Sequence, residues 1–176
     1  RVGINLAAPG DRESDTGTLW LDYPQRGEHN YRLPNVAGPS PDVPVEIVTE
    51  NPRWFRQHPS HLEGPGERWV AASGVEGLES LTISLGEGVR KNRAYRVRLY
   101  FSEPDDLEPG ERRFDVALDG ETVLESLDVV REAGGRGRVL IKEFENVPAG
   151  ASLTIELTPV TGRTLLSGVE VVATDD

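Results

Sequence analysis

The sequence predicts an all-β chain, an antiparallel β-sandwich of the jelly-roll kind whose N-terminal half carries long loops. Three observations lead there. Apolar residues alternate with polar ones at period two through most of the second half. The segments between these runs are rich in turn formers, with no stretch of helical periodicity. The chain also carries 19 Gly and 13 Pro among 176 residues, with 36% hydrophobic and 28% charged side chains, a profile of short strands joined by many turns rather than of a helical bundle or a disordered tail.

In chain order, residues 2–6 read as the first strand, 45–49 as the second, 69–73 as the third and 78–85 as the fourth, each bounded by Gly, Pro or charged residues. The segments 7–19 and 23–44 contain Pro9, Gly10, Gly17, Pro24, Gly27, Pro34, Gly38, Pro39, Pro41 and Pro44, too much backbone punctuation for regular structure. Loops of that length in a compact domain commonly carry function or a subunit contact. From 94 to 101, Tyr95, Val97, Leu99 and Phe101 share one face while Arg96 and Arg98 share the other, the pattern of a half-buried strand. Phe114, Val116 and Leu118 alternate next, and Asp119-Gly120 suits the positive φ angles of a tight hairpin leading into a partner strand at 122–127. Strands at 139–144, 153–157 and 165–172 close the chain, separated by turn-rich segments at 146–150 and 159–162. Sequential strands without crossover helices favour antiparallel sheets in two layers.

No repeat of fixed period and no linker interrupts the chain, so residues 1–176 are expected to form one domain. The chain contains no methionine, not even at position 1, and is expected to have been cut from a longer product. There is no cysteine, hence no disulfide framework and no thiolate metal site. The formal net charge of −11, spread along the chain, opposes polyanions and argues against nucleic acid as a partner. No apolar run approaches the ~18 residues needed to cross a bilayer.

An ordered series of segments carries a family resemblance. Arg1-Val-Gly-Ile-Asn5 opens the chain. Tyr95-Arg-Val-Arg-Leu-Tyr-Phe-Ser-Glu103, Gly110-Glu-Arg-Arg-Phe-Asp-Val116, Leu118-Asp-Gly-Glu121, Leu127-Asp-Val129 and Leu166-Ser-Gly-Val-Glu-Val171 follow in order. Together they resemble the malectin and malectin-like domains, over about residues 93–172. Gly17-Thr-Leu-Trp-Leu-Asp-Tyr-Pro24, Gly38-Pro-Ser-Pro-Asp42 and Trp69-Val-Ala-Ala-Ser-Gly74 are also similar to a variant appended to exported multidomain proteins of planctomycete-type bacteria. The resemblance implies a galactose-binding-domain-like jelly roll without catalysis, whose loop end binds sugars. It further implies a location outside the cell, in the periplasm or on the cell surface, with the other domains of a parent protein as partners. The family's animal members follow their Phe-Ala-Glu segment with two adjacent aromatics, whereas here Phe101-Ser-Glu103 leads into Pro104-Asp105-Asp106. Their aspartate before the last strand aligns with Thr161 or Gly162. The animal proteins' sugar specificity therefore does not transfer.

A sugar site needs an apolar platform for the C–H face of the ring and planar polar groups for its hydroxyls. The candidate ligand-binding residues are Tyr23, Tyr31, Trp54 and Phe55 as platforms, with Asp22, Arg53, Asp105 and Asp106 as polar partners. Asn30, His58 and His61 stand nearby in sequence. Trp54 and Phe55, between Arg53 and Arg56 in a Pro-bounded segment, are expected to be exposed, and Trp20 and Trp69 to be core plugs. His58 and His61 have no third ligand at a recognisable spacing, so no metal site is assigned. No cofactor is expected; a structural Ca²⁺ on the oxygens of 103–108 or 11–15 is the weak alternative, without EF-hand spacing. No nucleophile elbow, phosphate loop or opposed carboxylate pair is recognisable, so catalysis is not expected. Two functions remain: a carbohydrate-binding accessory module, or a structural module that docks against protein and takes no sugar.

Overall fold

The computed structural model describes residues 1–24, 43–86 and 93–174. Twelve strands appear among them. They are β1 (Val2–Leu6), β2 (Arg12–Glu13), β3 (Leu19–Tyr23), β4 (Val45–Arg56), β5 (Ser73–Ser84), β6 (Arg93–Phe101), β7 (Arg113–Leu118), β8 (Glu121–Leu127), β9 (Leu140–Ala149), β10 (Ser152–Thr161), β11 (Leu165–Leu166) and β12 (Gly168–Ala173). Two short helices, α1 (Arg68–Ala71) and α2 (Val129–Ala133), and a 3₁₀ turn at Pro59–His61 accompany them. No helix among the described residues is long and apolar enough to cross a membrane.

The first sheet runs β2-β3-β1-β12-β6-β9. In the second, β5 pairs with β4 along one side and with β11 and β10 along the other, and β7 and β8 follow β10. The strands from the two ends of the chain meet inside the first sheet, where Val2 lies opposite Val171 and Asn5 opposite Gly168.

The alternation seen in the sequence is what builds the core. Tyr95, Val97, Leu99 and Phe101 of β6 point inward, as do Phe114, Val116 and Leu118 of β7 and Leu153, Ile155 and Leu157 of β10. The Phe101 and Phe114 rings meet across the sandwich, 6.1 Å apart. A second, smaller apolar cluster lies on the outer face of the first sheet, where Trp20, Leu62, Val70, Ala71, Ala72, Tyr100 and Val139 pack together. The segment between β4 and β5 supplies its cover. Gly3, opposite Trp20 on the neighbouring strand, makes room for it: a Cβ there would run into the indole. Gly168 does the same, since its Cβ would lie 2.5 Å from Val70 Cγ1 and 3.1 Å from Trp20 Cζ3.

Five sequence expectations are corrected. Residues 68–71 are helical rather than the start of a strand, and β5 begins at Ser73. β4 runs on to Arg56, so Trp54 and Phe55 lie in a strand and not in a loop. Leu19–Tyr23 is a strand inserted where the loops were expected to run on either side of it, and it pairs parallel with β1, Gly3 opposite Trp20. The sheets are thus antiparallel except at that junction. Finally, α2 interrupts the strand succession after β8, capped by the Asp128 side chain, which accepts from Arg131 N at 3.0 Å, and by Gly134 at φ 78°.

Candidate functional site

Two regions bear on function, one at the loop end of the sandwich and one on the outer face of the first sheet. At the loop end, the turn after β6 brings Glu103 and Asp105 against Glu76 of β5, Arg53 of β4, Arg112 and Arg163. Arg112, only 4% exposed, donates to Glu103 through Nε at 2.8 Å and Nη2 at 3.2 Å, and to the Arg163 carbonyl at 3.1 Å. Its Nη2 also reaches Glu76 at 3.4 Å and Asp105 at 3.3 Å. Arg53 donates from Nε to Glu76 at 3.1 Å and also bonds Asp105. Arg163 reaches Glu76 Oε2 at 3.7 Å. Three guanidinium groups thus face three carboxylates, and the cluster neutralises itself.

The electrostatics follow from that pairing. The Arg53 hydrogen bond holds the Asp105 carboxyl below its ordinary value, and Arg53 is itself raised, first by Asp105 and then by Glu76. Burial raises Glu103, opposed by Arg112. Carboxylates engaged in this way are poor free acceptors for sugar hydroxyls, because each lone pair diverted to a ligand weakens an internal charge-assisted bond.

The sequence-derived candidates divide accordingly. Arg53 and Asp105 come together as a direct ion pair. Tyr23 and Trp54 also meet, ring centroids 6.4 Å apart at 44°, but both lie partly buried against the main core. Phe55 is 9% exposed and belongs to that core, so it offers no platform. Asp106 points away to Arg136. The backbone N–H of Asp22 donates to Asp11 Oδ1 at 2.9 Å. Tyr31 and Asn30 lie outside the described residues. The His58 and His61 rings stand 6.1 Å apart, with His58 Nδ1 2.6 Å from the Ser60 hydroxyl. Among the described residues, no three His, Cys, Asp or Glu side chains converge as a metal site.

The outer face of the first sheet presents a different arrangement. Arg12 of β2 lies opposite Trp20 of β3, so both point outward, and Trp69 on α1 packs edge-on against Trp20 with centroids 5.9 Å apart. The Arg12 guanidinium sits over the Trp69 ring, 4.6 Å from its centroid. The indole N–H of Trp69 donates to Glu67 Oε2 at 2.6 Å. Beneath, burial pushes Tyr100 up to about 12, helped by Glu170. Arg12, Pro59, Ser60, Gly66, Glu67, Arg68 and Trp69 line a solvent-open cleft of about 510 Å³, within the size range of small-ligand sites. Trp69, expected as a core plug, is only partly buried and walls this cleft. Its sequence signal is Gly64-Pro-Gly66 just upstream, which prevents a continuous strand and leaves the tryptophan at the head of a short helix.

Two face-to-face sheets, with β1 and β12 paired inside one of them, define a galactose-binding-like β-sandwich. The Malectin domain family model matches residues 80–174, more than half of the chain, and the chain belongs to that family. Receptor-like protein 4 of Arabidopsis thaliana is 36% identical over 183 residues, which cover 96% of this chain and 28% of that protein. The chain therefore spans little more than a quarter of that relative's length. Among solved structures, a Bacteroides uniformis β-glucuronidase superposes with TM-score 0.70 at 16% identity, over 99% of this chain and 18% of that enzyme. The plant receptor-like kinase ANX2 gives TM-score 0.70 at 16% identity, over 99% of this chain and 48% of that one. The extracellular domain of ANXUR2 from Arabidopsis thaliana gives 0.63 at 15% identity, over 98% and 41%. At such identities the structural likeness bears on the fold alone.

Proposed function

We propose that residues 1–176 form one non-catalytic saccharide-binding module, working outside the cell or at its surface as an accessory to a longer protein, and that the sugar occupies the Trp69 cleft. The observation that carries this reading is the combination of a partly exposed indole with Arg12, Glu67, Arg68 and Ser60 around one open cavity. It supplies the apolar platform and the convergent polar groups that pyranose recognition requires. Membership of the Malectin domain family supports a binding role, and the extracellular placement of the ANXUR2 neighbour supports the location. Among the described residues the cleft is lined by a single carboxylate, Glu67, where glycoside hydrolysis ordinarily uses two facing each other. The β-glucuronidase is matched over less than a fifth of its length, and its activity is not carried over.

The self-neutralised loop end favours a second reading, a rigid surface that docks against a neighbouring domain without any sugar. Tryptophan fluorescence titration across a glycan panel separates the two, using the wild type with Trp69→Ala and Trp54→Ala. Saturable binding lost by about tenfold or more in Trp69→Ala and kept in Trp54→Ala is the expected result. Loss in Trp54→Ala alone would move the site to the Tyr23–Trp54 ring pair. Silence of the folded protein across the panel would leave docking as the function.

A further inference from the structure

We infer that His58 is a pH-sensitive catch on the wall of the Trp69 cleft, fixing Ser60 when neutral and releasing it when protonated, so that occupancy of the cleft falls in acid. The ligand part of this rests on the cleft being the saccharide site; the catch itself can be tested without a ligand.

Pro59 and Ser60 line the cleft and belong to the 3₁₀ turn Pro59–His61. The chain is pinned on both sides of that turn. Before it, Gln57 N donates to the Ala72 carbonyl at 2.7 Å and the Gln57 side chain to Ser102 Oγ at 3.3 Å. After it, Leu62 is fully buried in the Trp20 cluster. Between these pins, His61 N donates to the His58 carbonyl at 2.9 Å and Leu62 N to the Pro59 carbonyl at 3.1 Å. Ser60 N–H, like other first-turn donors, has no partner inside its own helix. It finds one in the His58 side chain, whose Nδ1 accepts at 3.2 Å and also lies 2.6 Å from Ser60 Oγ.

An N–H aimed at Nδ1 requires a lone pair there, which assigns the neutral ring with its hydrogen on Nε2. The Ser60 hydroxyl then donates to the same nitrogen and keeps its own lone pairs for a ligand. Protonation places a hydrogen on Nδ1. The ring can still donate to Ser60 Oγ, but it now meets the backbone N–H donor to donor, and the turn loses its cap. The hydroxyl's role inverts with it, from donor to the ring into acceptor from the ring. Because both ends of the segment are held, the disturbance falls on Ser60 and the cleft wall. His58 and Ser60 are exposed, so the ring exchanges protons freely with solvent.

The surrounding charges are otherwise engaged. His61 stands on the same turn, its ring 6.1 Å from that of His58. Arg56, at the end of β4, bonds the Ala7 and Ala8 carbonyls. Arg136 and Arg138 flank Gly137, which lies against the His61 carbonyl, and pair with Asp106 and Glu63. Across the cleft, Arg12 stacks on Trp69, Glu67 accepts from the Trp69 indole and Arg68 donates to the Leu62 carbonyl. Among the described residues, the His58 ring is hydrogen-bonded to Ser60 and to none of these groups.

Two measurements on the 1–176 chain test the catch. In the first, without ligand, NMR follows the Ser60 backbone N–H and the histidine rings from about pH 8 to about pH 5, the span in which imidazoles change charge. The Ser60 signal is expected to move in step with the His58 ring while its exchange protection factor falls. His58→Asn keeps a side-chain acceptor at the cap without a titrating ring, and in it the Ser60 signal should stay in place; His61→Asn should behave as wild type. In the second, cellotetraose, xylotetraose and galactotetraose are titrated calorimetrically at the two ends of that range. A probe held through Trp69 should bind about threefold to tenfold more weakly at the acid end, the worth of one cap. His58→Asn should erase the difference and keep the tighter value, while His58→Ala should bind weakly at both ends. Thermal melts verify that each variant is folded.

A Ser60 N–H that ignores the His58 titration, or that moves equally in His58→Asn, overturns the inference. Equal affinity at both ends of the range, still dependent on Trp69, also overturns it and leaves the saccharide site standing. If the folded wild type binds none of the probes at either end, the saccharide reading loses its support, and the catch stands or falls on the Ser60 titration alone.

Discussion

Arg112 is the best-shielded cation of the loop end, and what it touches decides its worth. Taking it out of water is costly, and the bonds to Glu103, Glu76, Asp105 and the Arg163 carbonyl offset that cost only together. Removing it strands Glu103, which is almost fully buried, and leaves the equally buried Glu76 to Arg53 and Arg163. Arg112→Met should lower unfolding stability by ~3–5 kcal/mol, and adding Glu103→Gln should recover part of the loss; urea denaturation of the cycle measures both. Asp105 and Glu103 answer acid in opposite senses. Asp105 is held below its ordinary 3.8 by Arg53, so its contribution is complete above that value and is lost as pH falls through the lower folded value. Glu103 is raised above 4.5 by burial, so its contribution is complete below that value and is lost as pH rises through the raised one. Asp105→Asn is therefore expected to flatten the loss of stability on acidification, while Glu103→Gln flattens the dependence above its ordinary value. Denaturation midpoints from about pH 2 to about pH 8 read out both, and identical acid limbs in wild type and Asp105→Asn would contradict the first.

At the scale of elements, close approach rather than propensity fixes several junctions. A Cβ on Gly74 would lie 2.6 Å from the Leu166 carbonyl oxygen and 2.7 Å from the Phe55 ring, both held by the β4-β5-β11 pairing. Gly74→Ala should cost about 1–3 kcal/mol through overpacking, visible as a lowered thermal midpoint with an unchanged far-UV spectrum. Where strands alternate cleanly, as in β6, β7 and β10, the sequence could be read residue by residue, since one face meets the core and the other meets solvent. It misled where one signal served two structures. Trp69-Val-Ala-Ala is a short apolar run that periodicity cannot assign, and its alanines favour the helix it forms. Glu50-Asn-Pro52 reads as a terminator, yet β4 carries Pro52 through a shift of register between Thr49 and Arg53, where a missing N–H is tolerated. The Asp128 and Gly134 caps of α2 were visible signals for a helix too short to show periodicity. The loop-end pair of Arg53 and Asp105 was among the residues singled out from the sequence. The cleft was not, because it joins Arg12 to Trp69 through the β2-β3 pairing and the packing of α1, neither of which leaves a local pattern.

For the molecule as a whole, charge and connectivity each have a consequence that no single strand carries. A net charge of −11 keeps polyanions off most of the surface. The pairing of β1 with β12 has a different kind of consequence, a mechanical one. Because the two strands are antiparallel, with Val2 beside Val171, the chain enters and leaves the first sheet at the same end. Tension applied between those ends loads the β1-β12 hydrogen bonds one after another, as in opening a zipper, instead of shearing them all at once. A single-molecule pull on residues 1 and 173 should therefore peel β1 away at low force in a distinct first step, before the second sheet yields. Within a longer chain, the module would hang as a side branch that a stretched polypeptide opens early, uncovering Gly3 and the packing beneath Trp20, and with them the floor on which the Trp69 cleft is built.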